Sequence, residues 1–504
     1  MREVSMAIVG AGFGGIAAAV RARQAGVTDL VLIEREEGVG GVWEANHYPG
    51  LACDVPSNLY SLSFAPNPHW TRRFSPQPEI RSYLQGVVRD FGLESSLRLG
   101  TEVRVATWDE QSSRWRLELS DGEQIEAEVL VAACGHLSRP SFPAVEGIDD
   151  FAGPVFHSSD WRHDLDLTGL RVGVLGSGAS AIQFVPEIAP RVSKLTVFQR
   201  SAPWTLPKMD VTYSPATQRL FRRFPQFQRA CRATWRNSFE TLAPLFTGRP
   251  APVAELTRRV ITRVSDLQRD VQLRGDPELR AKVQPDYDLG CKRVLITSDW
   301  LPALRRPNVE LVTDSVERVT SSSIIDSAGA EHEVDVIIFG TGYEVGDLLA
   351  PMEVVGTGGQ RLHERWSQGA EAYLGLSVDG FPNLFMVYGP NTGHGTGSAI
   401  DMLEAQADHI AGAVQMLADG RAERLKVRPE VFADFQREIA DRMEGTTWSS
   451  GCSSWYRNEA GRVTITWPGQ PAEYQRRARE ISPADYLLRA PASGSVDHSS
   501  STNR

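Results

Sequence analysis

Two glycine-rich turns stand 166 residues apart in the chain: Gly10-Ala-Gly12-Phe-Gly14-Gly15 and Gly176-Ser-Gly178-Ala-Ser-Ala181. Each closes an apolar run that reads as a strand and opens a small-residue run that reads as a helix. That pattern suits a pyrophosphate. The first glycine makes the tight turn, the second lets backbone approach the phosphates, and the third position, Gly15 in the first turn, lets helix pack on strand. The helix start then offers free N–H groups and a partial positive charge to the anion. The turns differ at the end of the strand that follows. After the first comes Glu34, whose carboxylate can accept from ribose hydroxyls and repels a 2′-phosphate. After the second comes Gln199-Arg200-Ser201, where a guanidinium can pair with a 2′-phosphate and a hydroxyl can add a donor. One unit suits a bare ribose and the other a phosphorylated one. FAD in the first and NADPH in the second is the economical assignment. Gly176, Gly178, Ser180, Ala181 and Gln183 are then the candidate contacts of the second nucleotide.

The elements that must position these turns repeat. IAAAVRARQAG and LVLIER follow the first turn; AIQFVPEIA and KLTVFQR follow the second. EVLVAACGH (128–136) and DVIIFGTGY (335–343) read as matching buried strands that end in glycine turns. The pattern predicts an α/β fold with two Rossmann-like dinucleotide-binding domains. We expect residues 1–145 and 373–490 in the FAD-binding domain and 146–204 and 290–372 in the NADPH-binding domain. Residues 205–289 read as a helical insertion in the second domain, its many arginines a solvated face. The tail 491–504, PASGSVDHSSSTNR from 491 on, reads as disordered.

Charge and cysteine usage exclude several classes. The chain has 53 basic and 63 acidic residues, a net charge of −10, which disfavours nucleic acid and anionic membrane as partners. No apolar run reaches the ~18 residues of a membrane span, and the N-terminus lacks a signal-peptide pattern. The five cysteines, at 53, 134, 231, 291 and 452, are odd in number and form no CxxC. That argues against a disulfide framework, a zinc site or a redox dithiol, and for a reducing cytoplasm.

Two further stretches carry a resemblance. Residues 40–54, GGVWEANHYPGLACD, and 151–161, FAGPVFHSSDW, resemble the paired fingerprints of type I Baeyer–Villiger monooxygenases. Gly40, Gly41, Trp43, Tyr48, Pro49, Gly50 and Asp54 match the first; Phe151, Gly153, His157, Ser158 and Trp161 match the second. Ser158 replaces the commoner threonine, Arg162 stands where proline is usual, and GPNTGHGTGS (389–398) departs from the usual wording of that loop. The likeness extends to GCKRVLITSDWLPAL, FGTGYE and SGCSSWYRNEAGRVTITWPG, and so over nearly the whole chain.

The resemblance implies an NADPH-reduced FAD that reacts with dioxygen to a C4a-peroxyflavin, which converts a ketone to an ester or lactone. It places the catalytic arginine at Arg293, with Asp54 as its partner and Lys292 on the 2′-phosphate. A fixed cation there can hold the peroxide anion and an oxyanion, and arginine stays protonated at any working pH. Tyr60 would contact FAD and Trp43 would pack near the flavin. His394 reads as a loop-positioning residue, and Trp455 and Tyr456 as substrate contacts. Residues 151–162 would be the linker that couples domain movement to catalysis. Expected partners are a ketone and dioxygen, without nucleic acid or membrane insertion; the oligomeric state is open. The rival readings are an N- or S-oxygenating flavin monooxygenase and a non-oxygenating NADPH-dependent flavoprotein.

Overall fold

A computed structural model describes residues 2–248, 252–344, 346, 348–451, 454, 456–458 and 460–489. The expected tail and Trp455 lie outside the described residues.

Both glycine turns follow strands that lie parallel to their neighbours, the first in a mixed sheet. The first sheet runs in the order Glu353–Val355, Val103–Asp109, Arg114–Leu119, Gln124–Ala132, Arg2–Val9, Leu30–Ile33, Leu97–Arg98, with Leu384–Met386 also paired to Gln124–Ala132. The first strand, Arg2–Val9, lies parallel between Leu30–Ile33 and Gln124–Ala132. Its helix, Phe13–Gln24, buries Ile16 through Val20 and packs against the long helix Ala399–Ala418. The second sheet is wholly parallel: Val309–Val312, Lys194–Phe198, Arg171–Leu175, Val336–Phe339, Val155–His157. Its strands are apolar runs because both faces are covered.

The two units are built alike at the turns. Gly10 has φ +105°, and a Cβ there would fall 2.5 Å from the Ala133 carbonyl oxygen. Gly176 has φ +111°, and its Cβ would fall 2.4 Å from the Gly340 oxygen. Ala133 and Gly340 end the two strands that the sequence pairs as counterparts. Each turn is thus pressed against the end of the strand beside it, and only glycine fits.

Three expectations need correction. The strand Glu353–Val355 pairs with Val103–Asp109 in the first sheet, so the chain returns to that unit about twenty residues before 373. A three-residue strand is too short to announce its partner. The stretch expected as a linker contributes a strand to the second unit: Val155–His157 is the edge strand of the second sheet, with His157 opposite Phe339. Phe156 and Trp161 are buried and meet edge-to-face at 5.5 Å, and Trp161 also packs on Phe184. The helical insertion (helices Pro215–Arg223, Pro225–Leu242, Pro252–Gln272 and Pro277–Lys282) does not turn all its arginines to water. Arg232 and Arg236 reach across to Asp401 at 2.6 and 2.9 Å. Asp401 lies in the first turn of Ala399–Ala418, so a partly buried charge cluster ties the insertion to the first unit.

Candidate active site

A cavity of about 1020 Å³ runs from the first glycine turn to the second. At one end lie Gly10, Gly12 and Glu34. Gly41 (φ +55°) lies so close above the turn that a Cβ on it would fall 2.9 Å from the Gly12 Cα. Two strips of side-chain-free backbone thus face one another, the cradle a pyrophosphate requires. Glu34 accepts from the Ala11 N–H at 2.7 Å and from the Glu36 N–H at 3.1 Å, and burial raises its pKa. One backbone bond on each carboxylate oxygen leaves lone pairs for ribose hydroxyls. Beyond the cradle Trp43 donates its indole N–H to the Tyr60 hydroxyl at 3.0 Å, and Phe13 meets Tyr60 edge-to-face at 5.2 Å. This end fits a flavin dinucleotide.

At the other end Gly176, Gly178, Ser180, Gln183, Arg200, Ser201 and Lys292 line the cavity. Lys292 Nζ donates to the Ser201 hydroxyl at 2.7 Å and lies 4.7 Å from the centre of the Tyr287 ring. Burial, and then the charge on Arg200, lower the Lys292 pKa. Two cations held close together without an anion repel one another. A dianionic 2′-phosphate relieves that repulsion, so this end fits a phosphorylated ribose. Gln183 bridges the units: its amide donates to the Ala52 carbonyl at 2.9 Å and it accepts from the Tyr48 hydroxyl at 3.1 Å.

Arg293 stands where the two ends meet. Its guanidinium donates to both Asp54 oxygens, Nη2 to Oδ1 at 2.8 Å and to Oδ2 at 2.6 Å, with Nε to Oδ2 at 3.1 Å. The Asp54 charge raises the Arg293 pKa, against an opposing effect of burial. The arginine is 44% accessible and the aspartate 25%, both lining the cavity. Phenols surround the fork. Burial pushes Tyr60 and Tyr388 up and Tyr456 up to about 12, so all stay neutral beside the guanidinium. Such a group can stabilise charge that develops on an oxygen at this point.

A Baeyer–Villiger monooxygenase of Streptomyces coelicolor is 43% identical to this chain over 98% of it and 94% of the relative. The chain belongs to the Baeyer–Villiger monooxygenase family. A broader family model, pyridine nucleotide-disulphide oxidoreductase, matches residues 7–230. Among solved structures, oxidized steroid monooxygenase bound to NADP is 30% identical, with a TM-score of 0.84 over 97% of this chain and all of the other. OTEMO in complex with FAD and NADP is 25% identical, with a TM-score of 0.84 over 96% and 99%. The two-unit α/β architecture is that of these monooxygenases.

Within this family frame, most residues singled out from the sequence converge on the one cavity. Gly15 and Ala181 do not face it. A Cβ on Gly15 would fall 1.9 Å from the Gly10 oxygen, so that glycine serves helix-on-strand packing. Ala181 is fully buried against Gly340. His394 faces the cavity, but its Nε2 bonds the Ser398 carbonyl oxygen at 3.1 Å and burial lowers its pKa; it braces the loop as a neutral ring. Cys53, Cys134 and Cys231 are free, whereas Cys291 is in a disulfide, which spacing alone did not suggest. Tyr388 went unnoticed. It lines the cavity with φ +62°, stacked at 4.3 Å on His136 and held by an N–H bond of 2.8 Å to Gln406. The sequence signal was the glycine-proline step after it, which reads as an ordinary turn.

Proposed function

We infer that this chain is an FAD-dependent, NADPH- and dioxygen-consuming monooxygenase that converts a ketone to an ester or lactone. The observation that carries this reading is the Arg293–Asp54 fork at the meeting point of the two nucleotide ends. Gly10, Gly12, Gly41, Glu34, Trp43 and Tyr60 would hold FAD; Gly176, Gly178, Ser180, Gln183, Arg200, Ser201 and Lys292 would hold NADPH. Bound FAD, once reduced, supplies the activation of dioxygen. The chain's own part is electrostatic. Arg293 donates to the substrate carbonyl oxygen as that oxygen becomes an oxyanion, and it holds negative charge on the attacking oxygen. Asp54 fixes the plane of the guanidinium and shares its charge. The neutral phenols of Tyr60, Tyr388 and Tyr456 keep other charges away from it. Ketone and dioxygen are the small-molecule partners. The demand for NADPH favours a cytoplasmic setting.

The nearest rival oxygenates amines or sulfides. That chemistry needs a protonated oxidant and no fixed cation, so Arg293 and Asp54 favour the ketone reading. The test is turnover of the FAD-loaded enzyme with NADPH and isotopically labelled dioxygen on paired ketones and sulfides. The expected result is one labelled oxygen in an ester or lactone for each NADPH consumed. Hydrogen peroxide as the sole product, or sulfoxide with no ester from any ketone, would overturn it.

A further inference from the structure

The helix Pro252–Gln272 packs Ala254 and Ile261 inward and still turns an apolar stripe outward. Its 21 residues span about 32 Å at the usual rise. On the protein side it buries Ser265, Gln268 and Arg269. Gln268 and Gln272 donate to the Thr297 and Ser298 carbonyls at 2.7 and 3.0 Å. Facing outward are Leu256, Val260, Val264, Leu267 and Val271, each 40–65% exposed. Their spacing of four, four, three and four residues makes one apolar stripe. An ordinary surface helix turns polar residues outward there.

The charges beside the stripe say what covers it. One residue before each stripe position, and in the turn that follows the helix, stand Glu255, Arg259, Arg263, Asp266, Asp270 and Arg274. Their signs run − + + − − +. Read backwards, every sign is opposite to its forward partner. An antiparallel second copy would therefore set Glu255 against Arg274, Arg259 against Asp270 and Arg263 against Asp266. A two-fold axis near Val264 repeats each pairing and lays Val260 near Leu267 of the other copy. Within one chain, Arg259 meets Glu255 at 3.0 Å, Asp270 meets Arg280 at 2.6 Å and Asp266 meets Arg269 at 2.5 Å, so the row is preorganised. A membrane surface fits worse. The helix carries four arginines against three carboxylates, too balanced for anionic lipid, and the chain as a whole is at −10.

We propose that this helix is an isologous interface between two copies of the chain, paired antiparallel through the apolar stripe and its self-complementary charge row. The test is sedimentation of the FAD-loaded full chain from sub-micromolar to tens of micromolar, with Arg259→Asp and Asp270→Arg made singly. Wild type should sediment as a dimer. Each single reversal sets like charges against each other and should raise the dimer dissociation constant tenfold or more, with flavin content and turnover retained. Mixing the two reversed proteins restores opposite signs and should restore dimer as a heterodimer. Val264→Glu should leave monomer. A wild-type monomer throughout the range would overturn the proposal. So would a dimer indifferent to the reversals and to Val264→Glu, or vesicle binding by a monomeric chain.

Discussion

The pair Arg200 and Lys292 should decide which nicotinamide cofactor is used, and by how much. Lys292 is partly buried, bonded to Ser201 and depressed in pKa by burial and by Arg200; Arg200 is exposed at the cavity edge. A hydrogen bond to a charged group contributes about 1.5–3 kcal/mol. Exposure puts Arg200 at the low end, about 1.5 kcal/mol, and burial puts Lys292 near 2 kcal/mol. Arg200→Ala should therefore lower kcat/KM for NADPH roughly tenfold, and Lys292→Ala roughly thirtyfold. The double variant should lose less than the product of the two, because removing either cation relieves the repulsion that burdens the other. NADH lacks the phosphate, so its kcat/KM should stay within about twofold. Steady-state oxidation of both cofactors by the FAD-loaded variants measures this. An Arg200→Ala enzyme that keeps the wild-type preference for NADPH over NADH would refute the assignment of the second turn.

Because burial and the Arg200 charge lower the Lys292 pKa, its charge is lost as pH rises through a value below that of an ordinary lysine. KM for NADPH should thus climb in the alkaline range, and Lys292→Arg should flatten that climb; the pH profile of kcat/KM is the check. Gly41→Ala puts a methyl 2.9 Å from the Gly12 Cα at φ +55°. It should empty the first cradle, seen as a fall in the flavin-to-protein absorbance ratio, while Gly26→Ala, with open space around it, should keep the flavin. Trp161→Ala removes a buried ring packed on Phe156 and Phe184 and should cost about 3–5 kcal/mol in denaturant unfolding.

The parts of the site that need a special backbone or a fixed charge were legible in the chain. Gly10, Gly176 and Gly41 betray themselves because no side chain fits at those turns. Glu34 and Arg200 betray themselves because a strand end gives each a fixed offset from its turn. Residues that act through packing were harder. Gly15 is the packing position its place in the motif suggests, whereas Ala181 looks like a cofactor contact in the motif and is a spacer in space. The 151–162 stretch, rich in aromatics and without periodicity, looked like a connector; its short strand takes its order from Phe339 opposite, a contact 182 positions away. Arg232 and Arg236 looked like surface charge, since Asp401 lies 165 and more positions along the chain. Tyr388 needed the fold, because its partners His136 and Gln406 come from distant segments.

The central claim is that a guanidinium fixed by Asp54 stabilises the oxygen-inserting step while leaving hydride delivery to the flavin intact. The most direct measurement compares wild type with Arg293→Ala in two half-reactions: anaerobic flavin reduction by NADPH, and ester formed per NADPH in air. Arg293→Ala should reduce its flavin within about tenfold of wild type, give an ester yield lower by 100-fold or more, in line with about 2.7–4 kcal/mol for a lost oxyanion donor, and release hydrogen peroxide in its place. Ester formed by Arg293→Ala at the wild-type yield would contradict the central claim.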